Sequence, residues 1–126
     1  MQTLAIEGAK DGIRVNCLAP TAATRMTAGL MPDEVLARLA PAAVSPAVVF
    51  LASDEAPTRA IVCAGAGTFE RAHVTLTSGV HLGTGPDVAD LLAARFDEVS
   101  GRDGETVPES GSAQGTNEVG KAIAAG

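Results

Sequence analysis

Tyrosine and tryptophan are absent from the 126-residue chain, and its aromatic residues are three phenylalanines, Phe50, Phe69 and Phe96. A core must therefore be built from Ala, Val, Leu and Ile, and no phenol is available to give or take a proton in a catalytic step. Lysine is nearly absent too, occurring as Lys10 and Lys121. The nine Lys and Arg are scattered and the net charge is −6, which excludes a basic surface for nucleic-acid phosphates. The same scatter leaves no basic amphipathic helix for a membrane surface. No apolar run approaches the roughly 18 residues of a spanning helix. The opening stretch MQTLAIEGAKDG has neither a basic n-region nor a long apolar h-region, so it does not read as a secretory signal. Cys17 and Cys63 both sit inside apolar runs without metal or disulfide spacing. They read as buried core thiols, and a cytoplasmic setting is expected.

Apolar residues make up 46% of the chain, enough for one small domain with a core. Thr3 to Lys10 reads as the last turns of a helix stopped by Asp11-Gly12. Ile13 to Ala19 alternates as a strand and runs into a loop, Pro20 to Thr27, rich in small and hydroxyl residues. Pro32 at the first helical position, with Asp33 and Glu34 in the first turn, opens a short helix with Val35, Leu36 and Leu39 as its buried stripe. Ser45-Pro46 reads as an N-cap followed by proline at the first helical position of AVVFLAS, which is apolar almost all round and so expected to be buried on most sides. Arg59 to Ala64 is a second strand, apolar on both faces. Thr68 to Leu82 alternates well enough for one or two short strands. A third helix comes after Gly83-Thr84-Gly85-Pro86, with Val88, Leu91, Leu92, Phe96 and Val99 on one face. From Ser100 the chain is rich in Gly, Ser and Glu and reads as a mobile tail with a helical turn near NEVGKAIAA.

Most residues that could carry chemistry have a plainer role. GAGTFE from Gly65 comes after a strand but lacks the third glycine of a dinucleotide fingerprint, and the residues beyond it read as strand rather than helix. GTGPDV from Gly83 is a helix entry without a second βα unit. His73 and His81 have no cysteine partners and no helical HExxH spacing, so no metal site is expected. No G-x-S-x-G elbow occurs. The acidic pairs Asp33-Glu34, Asp54-Glu55 and Asp97-Glu98 are solvated helix ends. Asn16 reads as a structural strand-end residue. The loop from Pro20 remains.

The run LAIEGAKDGIRVNCLAPTAATRMT, from Leu4 to Thr27, resembles the segment that lies just after the active site in short-chain dehydrogenases/reductases. Leu4, Ala5 and Glu7 match the end of that family's long helix, Gly12 to Asn16 match its GIRVN run, and Pro20 matches its proline; Thr21 stands where most members have glycine. APTAATRMT, SPAVVFLAS and VCAGAGTFERAHV are closest to one branch, the (3R)-hydroxyacyl-CoA dehydrogenase unit of multifunctional β-oxidation enzymes. The resemblance implies an α/β fold, the C-terminal portion of a doubly wound Rossmann-type parallel sheet. The chain would hold its sixth and seventh strands with the intervening helices, over residues 1–99, with a C-terminal helix and a flexible tail over 100–126. It implies a cofactor, NAD or NADP, whose nicotinamide end would meet the backbone of Pro20 and Thr21 and the hydroxyl of Thr24. It also implies a small-molecule substrate carrying a hydroxyl or carbonyl group, such as a 3-hydroxyacyl-CoA, and a homo-oligomer.

Two parts of the family pattern have no counterpart among these residues: the TG---G-G turn for the pyrophosphate, and the Y---K pair with its Ser and Asn that moves the proton. The expectation is thus a fragment from a truncated or mis-started reading frame, with no catalytic residue of its own and inactive as an isolated chain. The alternative is a non-catalytic α/β binding or assembly module. Residues after about Ser100 are expected to be trimmed first by limited proteolysis, leaving a core that ends near Val99; a full-length band that survives conditions digesting an unfolded control counts against this.

Overall fold

The structure, a computed structural model describing residues 1–126, divides the chain into two compact units, Met1–His73 and Val74–Gly126. The fold is α/β, with a small, partly parallel three-stranded sheet in the first unit. That unit runs α1 (Gln2–Gly8), a 3-10 turn (Ala9–Asp11), β1 (Cys17–Pro20), α2 (Asp33–Arg38), a second 3-10 turn (Pro41–Ala43), α3 (Ser45–Leu51), β2 (Ile61–Gly65) and β3 (Thr68–Ala72). β1 and β2 pair in parallel, Cys17 opposite Ile61 through Pro20 opposite Ala64, so the two helices between them form a βαβ crossover. β2 and β3 form an antiparallel hairpin. Its two-residue loop places Ala66 at φ 51° and Gly67 at φ 76°. Positive φ at both central residues matches the right-handed twist of the flanking strands. The GAG run is thus a hairpin turn.

The first strand is shorter than its alternation predicts. Gly12, at φ 69°, ends the helical entry, and the Ile13 N–H returns to the Gly8 carbonyl at 3.0 Å. From Arg14 to Asn16 the chain then makes irregular bonds to residues 53–60 in place of a ladder. Arg14 Nη1 donates to the carbonyls of Asp54 and, at 2.9 Å, Ala56. These lie just past the end of α3, where a cation meets the unpaired carbonyls favourably. The Val15 N–H donates to Thr58 Oγ1 at 3.1 Å, and the Val15 carbonyl accepts from the Arg59 N–H at 2.8 Å. Asn16 Nδ2 donates to the Pro57 carbonyl at 2.7 Å, and its Oδ1 accepts from the Ala60 N–H at 3.0 Å. The structural role expected of Asn16 is thus a concrete one: it locks the loop that delivers β2.

The core is made of small side chains. Val44, Ala47 and Ala64 form a buried cluster, with Leu18, Ala22 and Val62 packed against it, and Ala5, Ala56 and Ala60 are buried elsewhere. Several burial expectations are corrected. α3 buries Ala47 alone, leaving Val48, Val49 and Phe50 at 52%, 70% and 44% exposure, because no element of its own unit covers its outer face. Its N-cap position is Val44, and Ser45 is already helical with no capping bond. In α2, Pro32 is the N-cap, Val35 is exposed, and Leu36 and Leu39 are half-buried. Cys17 is an exposed free thiol and Cys63 a half-buried one, since the apolar runs that carry them lie on a sheet face covered only in part.

The second unit holds α4 (Val88–Ala94), α5 (Phe96–Val99) and α6 (Ala113–Ala125). Its extended segment is not a strand pair with β3 but is stapled to residues 99–106. Leu76 and Thr106 exchange both backbone bonds at 2.8 and 2.9 Å, and Thr77 Oγ1 donates to the Val99 carbonyl at 2.7 Å. The third helix breaks at Arg95, φ −115°, leaving Phe96 exposed. There Arg95 forks onto Glu98 at 2.9 and 2.6 Å, and Arg102 onto Glu105 at 3.0 and 2.7 Å. Those arginine hydrogen bonds hold both carboxylates below the ordinary glutamate range. Within the stretch read as a tail with a helical turn near NEVGKAIAA, α6 is a longer helix of 13 residues. Its Ala, Gln, Glu and Lys are strong helix formers, and Gln114 pairs with Glu118 one turn on at 2.7 Å. No helix is long and apolar enough to cross a membrane.

Removing the Asn16 side chain takes two partly buried hydrogen bonds from the junction of β1 and β2. Asn16→Ala is expected to lower the unfolding free energy by about 2 kcal/mol in urea titration, and Asn16→Asp, which keeps the acceptor, by about half of that. A loss under about 0.5 kcal/mol for Asn16→Ala shows that the clamp does not set the pairing.

Candidate functional site

The loop after β1 begins where the parallel ladder ends. The Thr21 N–H continues the ladder onto the Ala64 carbonyl at 2.8 Å. In a parallel pair, alternate residues face the partner strand, so Cys17, Ala19 and Thr21 turn their backbone groups toward β2 while those of Leu18 and Pro20 face the open edge. Pro20, having no N–H, leaves a single free acceptor at the strand tip. The strand end is held tightly from the other side. A Cβ on Gly65 would lie 2.9 Å from Thr21 Cβ and 2.9 Å from Thr21 O, closer than such atoms approach. Only glycine fits there without moving Thr21.

Beyond Thr21 the loop is tied by its own hydroxyls. The Ala23 N–H donates to the Leu39 carbonyl at 2.7 Å, anchoring the loop to the end of α2. The Thr24 N–H donates to Thr27 Oγ1 at 2.8 Å, while Thr27 Oγ1 donates back to the Thr24 carbonyl at 3.0 Å. Thr24 Oγ1 accepts from the Met26 N–H at 3.2 Å. These are the local side-chain turns that threonine favours outside helices. The Thr24 hydroxyl thus has a fixed place, is exposed, and keeps its proton for a further acceptor.

Of the residues singled out from the sequence, Pro20, Thr21 and Thr24 lie on this one exposed loop. Pro20 offers a carbonyl, Thr21 a hydroxyl but neither backbone group, and Thr24 a hydroxyl donor. Sequence reasoning missed Gly65 as a member of the site. Its only sequence signal is a glycine at the end of a strand, which also fits a turn. No group of three or more His, Cys, Asp and Glu side chains sits where it could hold a metal ion.

No protein-family model matches the chain. Among curated proteins it is 39% identical over 108 residues, 85% of its length, to a Mycobacterium tuberculosis protein named as a short-chain type dehydrogenase/reductase. It is 35% identical over 81 residues, 64% of its length, to peroxisomal multifunctional enzyme A of Dictyostelium discoideum. It spans 37% of the first relative and 18% of the second. Among solved structures, full-length peroxisomal multifunctional enzyme type 2 of Drosophila melanogaster shares the fold over 97% of this chain and 23% of its own, with a TM-score of 0.74 and 21% identity.

If Gly65 is the seat on which Thr21 rests, Gly65→Ala is expected to destabilise the chain by about 1–3 kcal/mol and to shift the backbone resonances of Thr21 to Thr27. Gly120→Ala, at a helical position where a Cβ meets nothing within 4 Å, is expected to be neutral or stabilising. Unchanged loop resonances in Gly65→Ala contradict the close approach.

Proposed function

The chain is homologous to the C-terminal part of short-chain dehydrogenases/reductases, and on that premise we propose that it is the nicotinamide-side portion of an NAD(P)-dependent oxidoreductase. In this reading β1 and β2 are the sixth and seventh strands of a doubly wound sheet. The observation that carries it is the loop geometry: a free carbonyl at Pro20 and a fixed hydroxyl donor at Thr24, close together in sequence at the C-terminal end of a parallel strand. That is where open α/β sheets bind ligands. A carboxamide carries both a donor and an acceptor, and these two groups complement it. Support for a longer sheet comes from the open edge of β1 and from a surface depression of about 330 Å³, lined by Leu18, Val48, Leu51 and Ala52 with Arg14 and Asn16 at its border.

When bound, NAD or NADP gives or accepts the hydride; the residues here orient its nicotinamide end. Proton movement at the substrate oxygen has no tyrosine among these residues to serve it. Nor is there a TG---G-G turn for the pyrophosphate among them. In this proposal both belong to polypeptide outside residues 1–126, and the substrate is a hydroxyl or carbonyl compound of the 3-hydroxyacyl-CoA type.

Residues 1–126 alone are expected to show no saturable NAD(P)H binding by fluorescence or calorimetry at millimolar cofactor, because a few hydrogen bonds of about 1 kcal/mol each do not offset immobilising a dinucleotide. A chimera placing them behind the N-terminal portion of the Mycobacterium tuberculosis relative is expected to bind cofactor and to oxidise a 3-hydroxyacyl-CoA, with Thr24→Ala raising KM for the cofactor several-fold at unchanged thermal stability. Turnover by residues 1–126 alone, or a folded chimera indifferent to Thr24→Ala, overturns the assignment.

A further inference from the structure

The unit Val74–Gly126 contains a cavity of its own, about 480 Å³, within the size range of small-molecule sites. One wall is apolar, made by Leu76, Leu82, Val88, Leu92 and Val99. Polar groups come from Thr77 and His81 on the extended segment and from α6, which contributes Gln114, Asn117, Glu118 and Lys121. These positions are spaced i, i+3, i+4, i+7, a single helical stripe. This polar stripe borders the cavity, with Gln114, Asn117 and Glu118 exposed and Lys121 half-buried, and Val119 and Ile123 are exposed too, at 60% and 76%.

The polar stripe is fixed but not satisfied. Asn117 Nδ2 donates to the Ser78 carbonyl at 3.2 Å, which ties α6 to the extended segment. Gln114 Nε2 engages Oε1 of Glu118, leaving the other carboxylate oxygen without a partner. Lys121, a half-buried residue, has no ion pair and no side-chain hydrogen bond. Glu118 and Lys121 are three residues apart and so neighbours on the helix surface, yet they do not pair with each other. A cation and a half-used carboxylate about one turn apart, facing an aliphatic wall, match a ligand carrying both charges close together on an apolar body.

We propose that this cavity binds a small zwitterion with an aliphatic side chain, of the α-amino acid class: its ammonium on Glu118, its carboxylate on Lys121, and its side chain against Leu82, Val88 and Leu92. A purely anionic amphiphile would satisfy Lys121 but meet the Glu118 carboxylate at close range, and an amine would do the reverse. The residues lining it all belong to the second unit, and the proposal does not depend on the dinucleotide reading.

The test is an NMR titration of the 15N-labelled 126-residue chain with L-leucine, with octanoate and hexylamine as singly charged comparisons. Saturable shifts at millimolar L-leucine, confined to the cavity lining, are expected. Lys121→Met and Glu118→Gln should each weaken binding about tenfold, the loss of one charge-assisted hydrogen bond. Leu92→Trp, which fills the apolar side and leaves both charges, should abolish binding while the spectrum stays dispersed. Absence of saturable leucine shifts in the folded chain overturns the proposal. So does octanoate binding as tightly as leucine with no effect of Glu118→Gln, which would make the cavity a site for amphipathic anions.

Discussion

The side chain of Asn16 decides how the first unit is put together. Its amide donates to Pro57 and accepts from Ala60, so one residue holds both ends of the four-residue approach to β2. With Arg14 on the carbonyls after α3 and Val15 bonded to Thr58 and Arg59, the run before β1 acts as a template for the chain that returns some forty residues later. The parallel register depends on this clamp, and the strand end at Pro20 and its loop depend on the register. Parallel strands receive no help from a tight turn, so a side-chain device at the point of return is a physical requirement for defining their alignment.

That clamp matters more here because hydrophobic packing is weak. A core of alanines and one valine removes little surface per residue, at roughly 25 cal/mol per Å² of apolar area. Larger apolar side chains are present but stand outward, on α3 and on α2 and the loop before it. Polar bonding at the β1–β2 junction and the close seat of Thr21 on Gly65 therefore carry a larger share of the local specificity than they would in a unit with a full core.

The GIRVN run illustrates how a family signature and a functional residue can differ. The run identifies the chain's relatives, yet every side-chain contact it makes is structural. Thr24, which the functional reading depends on, lies in a loop whose hydroxyl turns any Ser or Thr could build. Gly65, which seats that loop, was legible only as a glycine after a strand.

Elements whose formation depends on local periodicity and backbone chemistry were determined by the sequence itself. These are α1 and its glycine stop, the two helices between β1 and β2, the order strand–helix–helix–strand, and the place of the loop after Pro20. The sequence also determined the kinship, through a contiguous run of matched residues. Features that depend on partners distant in the chain were decided by tertiary structure alone. Ile13 to Asn16 alternates like a strand but bonds to a loop; Thr68 to Leu82 alternates throughout but pairs with β2 only as far as Ala72. AVVFLAS has the composition of a buried helix but is covered on one side. Ala113 to Ala125 reads as tail with one helical turn near NEVGKAIAA but forms a 13-residue helix whose polar stripe borders a cavity. Periodicity records which side chains share a face. It does not record what, if anything, the rest of the chain brings to cover that face.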